Sequence, residues 1–210
     1  MKKKLIAAAA LTLTCGLAQA QDMDKQGWYG GLDLGYTKLG LSSGDVDGAL
    51  ANQGVAGTST LDTSDKSFGI NGGYRFNRNF AAELAYESLG SYTYSSNTGV
   101  DTINGKFKAD ALSLAGLGIY PFTPNWSVYG KLGLAHTNAK LDASSTTGAS
   151  AVSGSSHSGT NLLYGAGLRY DFAGGYFTKL GWDRYQSVGD SASTGKGSID
   201  AYQLGVGMQF

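Results

Sequence analysis

In the stretch from Ala201 to Phe210 every second side chain is apolar. Tyr202, Leu204, Val206, Met208 and Phe210 alternate with Ala201, Gln203, Gly205, Gly207 and Gln209, giving one bulky oily face and one small polar face. A period of two marks a strand whose two sides meet different surroundings. The pattern recurs seven more times upstream, each time with an oily face free of formal charge. These faces run through Trp28, Leu32, Leu34 and Tyr36; Phe68, Ile70, Tyr74 and Phe76; Phe80, Ala82, Leu84 and Tyr86; and Leu112, Leu114 and Tyr120. They continue through Trp126, Val128, Leu132 and Leu134; Leu162, Tyr164, Leu168 and Tyr170; and Tyr176, Leu180 and Trp182. Segments of about ten residues suit tilted strands crossing a hydrocarbon layer. The expectation is an all-β fold, an eight-stranded antiparallel up-and-down transmembrane β-barrel.

The connections alternate short and long. Asn77 to Asn79, Pro121 to Asn125 and Asp171 to Gly175 read as tight turns. Between them lie about 27 residues from Gly40, about 18 from Gly90, about 21 from Lys140 and a shorter loop from Gln186 to Gly197. These tracts are rich in Ser, Thr, Gly and Ala and read as loops. Short turns at one end and long loops at the other fit a barrel of the Gram-negative outer membrane, with turns in the periplasm. Each oily face also carries an aromatic at its turn end: Trp28, Phe76, Phe80, Tyr120, Trp126, Tyr170, Tyr176 and Phe210. Amphipathic rings settle at headgroup level, so these predict a periplasmic girdle.

The N-terminus adds a destination. Three lysines, an apolar run from Leu5 to about Ala18 and the ending Ala18-Gln19-Ala20 read as a signal peptide over residues 1–20, leaving 21–210 as the barrel domain. Cys15 fits a lipoprotein cleavage motif poorly, and cleavage after Ala20 leaves no cysteine for a disulfide or thiolate site. Removing Lys2, Lys3 and Lys4 from 16 basic against 16 acidic residues leaves 13 against 16, near −3. No basic stripe points to nucleic acid.

The opposite, inner face is mostly Gly, Ala, Ser and Thr, with eight charges inside it: Asp33, Glu83, Glu87 and Asp183 against Arg75, Lys131, Arg169 and Lys179. An eight-stranded barrel has an interior only wide enough for side chains to fill. Charges confined there must pair or keep water, so equal numbers predict a network of salt bridges plugging the lumen. Arg75 and Arg169, one step from turns, are expected to be solvated near the rim. Chemistry is sparse elsewhere. His136 falls on an oily face near the outer rim. His157 lies among Ser155, Ser156 and Ser158 in an expected loop, with no orienting carboxylate in register. No His/Asp/Glu cluster has metal spacing, and no cofactor is expected.

The segments GWYGGLDLGYTKLG from Gly27, GGYRFNRNFAAELAYESLG from Gly72, YPFTPNWSVYGKLGLA from Tyr120, GAGLRY from Gly165 and the YQLGVGMQF terminus together resemble the transmembrane domain of the OmpA family, and more loosely OmpX and related small barrels. The resemblance covers essentially the whole chain after residue 20. It implies that an acid on the third strand, Glu83, meets a base on the seventh, Lys179, across the lumen. Where the family has a further lysine and glutamate, this chain carries Leu117 and Arg169. The chain stops at Phe210, so the separate peptidoglycan-binding domain of some members is not expected. The resemblance further implies that the terminal strand (Tyr202, Leu204, Val206, Met208, Phe210) is read by the outer-membrane assembly machinery. Other expected partners are outer-membrane lipids, lipopolysaccharide and a surface ligand of the loops. The resulting reading is a non-enzymatic barrel of the cell envelope with a structural or surface-interaction role. A narrow low-conductance porin-like channel, a lipid-modifying outer-membrane enzyme and a soluble lipocalin-like carrier are the alternatives.

Overall fold

The computed structural model describes residues 26–40, 58–61, 63–97, 102–145, 155–190 and 195–210. Residues 1–20, expected to be a leader, lie outside them. Among the described residues, nine antiparallel strands form one sheet: β1 (Gly27–Leu39), β2 (Thr58–Leu61), β3 (Ser64–Arg75), β4 (Phe80–Asn97), β5 (Thr102–Pro121), β6 (Trp126–Ser145), β7 (Ser155–Asp171), β8 (Tyr176–Asp190) and β9 (Gly195–Gln209). Eight run in the order β4-β3-β1-β9-β8-β7-β6-β5, and pairing of β4 with β5 closes the ring, while β2 adds only to the far end of β4. Closure removes the free sheet edges that an open sheet would expose.

The register gathers the oily residues on the outside. Leu34 lies opposite both Phe68 and Leu204, and Tyr36 lies opposite Tyr202. Leu84, Leu132 and Val206 remain 54%, 62% and 57% exposed on this outer wall, which overturns the carrier alternative with its oily face inward. Seven of the eight turn-end aromatics are exposed as well and Tyr170 is half-buried; Trp28, Tyr74 and Phe76 form edge-to-face contacts along one rim, as do Trp126, Tyr170 and Phe172.

The strands are longer than expected, 12 to 20 residues in those that form the barrel. The tracts read as loops from Gly90, Lys140 and Gln186 are largely strand: β4 and β5 leave only 98–101 between them, β6 and β7 leave 146–154, and β8 and β9 leave 191–194. Ser and Thr do not prevent this, because the ladder is built from backbone groups and Thr favours strands. His157 correspondingly sits on β7 opposite Ala139, not in a loop.

In these extensions the polarity of the wall reverses. On β5, Leu112 and Leu114 face out and Ser113 faces in; further along the same strand Phe107, Ala109 and Ala111 face in, while Lys106 and Lys108 face out. Bulges between Ser88 and Ser91 on β4 and between Tyr185 and Val188 on β8 lie at the same level. A bulge adds one residue and re-aims the side chains beyond it; here each keeps two large residues inward, Leu89 with Tyr92 and Tyr185 with Val188. The β7–β8 ladder has its last pair at Leu163–Tyr185, and β3–β4 at Phe68–Ser88. Beyond those pairs two sheets face each other across an apolar core that includes Leu89, Tyr92, Phe107, Leu163, Val188 and Ile199.

Candidate functional site

The barrel interior holds three successive arrangements of side chains. Nearest the turns, Tyr29 (β1), Tyr129 (β6) and Phe177 (β8) pack with Ala81, Leu117 and Ile119. Each of the three rings lies over its directly opposed cross-strand residue, and that residue is glycine: Gly73, Gly167 and Gly207. A Cβ at any of these glycines would fall on the ring. The bare backbone therefore lets large rings lie flat against the wall, the covering of strand glycines by aromatics that shapes small barrels.

Arg75 and Arg169 belong to this layer, and both are covered, contrary to their expected solvation. The Arg75 side chain is 1% exposed; its Nε donates to Asn77 O at 3.2 Å and its Nη2 to Arg78 O at 2.8 Å. The turn that was expected to hydrate Arg75 instead folds its own carbonyls over the guanidinium. Arg169 Nε donates to Asp171 Oδ1 at 2.7 Å and Nη2 to Gln209 Oε1 at 3.2 Å, with its Cζ 3.7 Å from the Phe177 ring centroid. Desolvated guanidinium over an aromatic face is an attractive pairing.

One level further in, four strands from opposite sides of the barrel bring their charges together. Lys131 (β6) places Nζ 3.0 Å from Glu83 Oε1 (β4) and 2.8 Å from Asp183 Oδ2 (β8). Lys179 (β8) places Nζ 3.3 Å from Asp33 Oδ2 (β1) and 3.8 Å from Glu83 Oε2. Glu83 thus bridges the two lysines. Tyr29 O–H donates to Glu83 Oε2 at 3.1 Å, and Asn71 Nδ2 donates to Asp33 Oδ2 at 2.6 Å. The network needs missing side chains beside it: a Cβ at Gly205 would collide with Asp33 and Lys179, and one at Gly165 with Asp183. Between this network and the layer below lies a cavity of about 20 Å³ touching Tyr29, Arg75, Glu83, Arg169 and Lys179, room for a single water.

Glu87 stands apart from the other acids. It accepts from Tyr185 O–H and from Gln203 Nε2, both at 2.6 Å, and no cation lies within 4.0 Å of it among the described residues. Immediately beyond it begins the apolar core of the extensions. This core was not expected, because the inner face reads as small and polar until the bulges shift the period. Tyr29, Asn71, Tyr185 and Gln203 were also not anticipated as partners of the charges. The one available signal is that Tyr29 and Phe177 immediately follow girdle aromatics, so alternation obliges them to face inward.

The remaining candidates are elsewhere. His136 faces outward with Nδ1 3.3 Å from Thr160 Oγ1. Strand alternation turns His157 to the face opposite Ser156 and Ser158, which separates the groups that sequence proximity suggested for Ser/His chemistry. Among the described residues no group of three His, Cys, Asp or Glu could hold a metal ion. Tyr202, Leu204, Val206 and Met208 lie on the outer face of β9, between β8 and β1, and Phe210 follows directly after the strand.

A family model described as outer membrane protein beta-barrel domain matches residues 6–210. Outer membrane protein A of Shigella flexneri is 30% identical over 212 residues, covering 100% of this chain and 56% of that protein. The chain spans about half the length of the curated relatives it matches. Among solved structures, outer membrane protein OprG from Pseudomonas aeruginosa matches with a TM-score of 0.58 at 15% identity, covering 88% of this chain and 97% of that one. Neisserial surface protein A matches with a TM-score of 0.56 at 16% identity, covering 87% and 97%. At these identities the two structures establish a shared fold.

Proposed function

The chain belongs to the outer membrane protein β-barrel family, and from that membership and its filled interior we propose an integral outer-membrane scaffold, closed to ions, that presents its strand extensions and loops to the cell exterior. A single observation carries the closed lumen: beyond the ring layer at the turn end, two further and chemically different fillings succeed one another along the axis. An ion that passed the Tyr29, Tyr129 and Phe177 rings would meet the Glu83–Lys131–Asp183 and Asp33–Lys179 pairs, then the apolar core around Leu89, Phe107, Leu163 and Ile199. The first resists because displacing one partner strands another buried charge. The second resists because it offers a hydrated ion no polar group. Residues 1–20 are read as the export leader and the outer face of β9 as the segment met by the assembly machinery. Contact with a surface ligand falls to the extensions.

Planar-bilayer recording of the full chain tests the reading. The expected trace is free of steady unitary currents. Steady currents whose size changes in Glu83→Gln would establish the narrow channel instead. Lipid analysis of cells overproducing the protein tests the enzyme alternative: unchanged lipid A and phospholipid chains are expected, and altered chains restored by His157→Ala would overturn a non-catalytic role.

A further inference from the structure

The charge on the outer wall is confined to one band. Among the described residues, no outward-facing side chain between the two aromatic belts is charged. Just beyond the second belt (Tyr36, Phe68, Tyr86, Trp182, Tyr202) the outward positions become Lys38, Lys66, Lys106, Lys108, Lys140 and Arg184, accompanied by Asp110, Asp142 and Asp200. Most of these charges cancel across the strands. Arg184 grips Asp200 through two bonds of 2.7 and 2.6 Å, and Lys38 lies directly opposite Asp200 on β1. Lys106 lies directly opposite Asp142, and Asp110 interacts with the Tyr86 hydroxyl.

One pair does not cancel. Lys108 on β5 is directly opposite Lys140 on β6, both side chains are exposed, and neither has a carboxylate within 4.0 Å among the described residues. Like charges facing each other across a ladder destabilise it, so this pair calls for an anion from outside the chain. Its height identifies which. Lys108 is four residues past Leu112, where the polarity of β5 reverses; at about 3.3 Å per residue and a tilt of about 40° that is roughly 10 Å beyond the apolar band. Phosphate groups on lipids occupy that depth. Snorkelling lysine stems extend the reach toward them.

We infer that Lys108 and Lys140 form a clamp for the phosphate groups of an outer-leaflet glycolipid, holding one lipid against the β5–β6 wall. The clamp deepens the scaffold reading and rests on its membrane placement. The occupant is a lipid and not a soluble anion because, below the intervening Asp110–Asn138 pair, Leu112, Leu114 and Leu134 form an apolar track on the same two strands. Acyl chains would lie on that track while the phosphates meet the lysines.

Native mass spectrometry of the full chain in micelles, with bisphosphorylated lipid A or its dephosphorylated form added, tests the assignment. A lysine near an anionic surface contributes about fivefold, so Lys108→Gln/Lys140→Gln should weaken retention of the phosphorylated lipid by roughly 30-fold. Retention of the dephosphorylated lipid should be unchanged, and Arg78→Gln at the opposite rim should behave as the wild type. Heat-dependent gel mobility confirms that each variant is folded. Equal retention of both lipids by the wild type, or an unaltered double variant, would overturn the clamp. So would phosphatidylglycerol held as tightly as lipid A, because the site would then read negative charge alone. Steady conduction with an intact lipid preference would count against the closed lumen and leave the clamp standing.

Discussion

Replacing Lys131 by methionine keeps the aliphatic stem and removes the charge that binds two acids from opposite walls. Its Nζ lies 2.8 Å from Asp183 and 3.0 Å from Glu83, and the lysine side chain is 5% exposed. The two acids lose unequally. Glu83 keeps Lys179 at 3.8 Å and the Tyr29 hydroxyl at 3.1 Å. Asp183 is left with no cation within 4.0 Å among the described residues, and its Oδ1 is already without a hydrogen-bond partner there. Stranding one buried charge costs about 3–5 kcal/mol. Lys131→Met should therefore lose about that much, read by equilibrium urea unfolding from lipid vesicles with tryptophan fluorescence and gel mobility as paired probes. Lys131→Met/Asp183→Asn removes the stranded charge and should recover about half or more of the loss, since replacing both partners is far cheaper than orphaning one. A single variant within about 1 kcal/mol of the wild type would refute the reasoning. So would a double variant no more stable than the single.

The two fillings of the lumen should act in series. Leu163→Ala/Ile199→Ala, which hollows the apolar core at about 2–5 kcal/mol per site, should leave bilayer conductance closed, whereas adding Lys131→Met should produce current; leakage from the core variant alone would contradict the arrangement. Gly181 lies beneath the Tyr129 hydroxyl, where an added Cβ would come within 2.7 Å of the oxygen. Gly181→Ala should cost about 1–3 kcal/mol of vesicle stability, and Tyr129→Phe in the same chain should restore most of it. Trp28 and Trp126 sit at the turn-end rim and Trp182 at the opposite belt. Variants keeping one tryptophan each should all be quenched more by lipids brominated near the headgroup than near the chain terminus, and deep quenching of any would misplace its belt.

The outer wall was legible in the sequence because lipid imposes one rule on every strand: each second residue must be apolar, and no charge is tolerated. Leu34, Leu84, Leu132 and Val206 obey it. The inward positions of Glu83, Lys131, Lys179 and Asp183 followed from the same parity. Apart from the Glu83–Lys179 contact that the family resemblance implied and that lies at 3.8 Å, which base meets which acid did not, because the partner across a barrel depends on the stagger of its strands and not on spacing in the chain. The burial of Arg75 and Arg169 was hidden for a related reason. Lying one residue from a turn suggests water, yet the Asn77 and Arg78 carbonyls and Asp171 close over them. Two bulges hid the β4 and β8 members of the apolar core, and the reading of the strand extensions as loops hid others such as Phe107. Leu89 and Tyr92 are three apart, as are Tyr185 and Val188, and a strict period of two assigns such pairs to opposite faces.

The reversal of polarity along single strands also explains how the chain holds its register. Sliding a strand by one residue exchanges its two faces. In the lower half of β6 that exchange would drive Lys131 into hydrocarbon, at about 2–4 kcal/mol near the midplane, and would leave Glu83 and Asp183 without it. In the upper half of β5 the same slip would turn Phe107 to water and force Lys106 and Lys108 into the apolar core. A strand with one uniform pattern can trade one kind of error for another as it shifts. A strand with opposite patterns at its two ends cannot, since any odd displacement fails at both. The level at which Leu112 gives way to Phe107 is therefore fixed by two independent penalties. It sets the depth of the barrel and, with it, the height at which Lys108 and Lys140 face the headgroups.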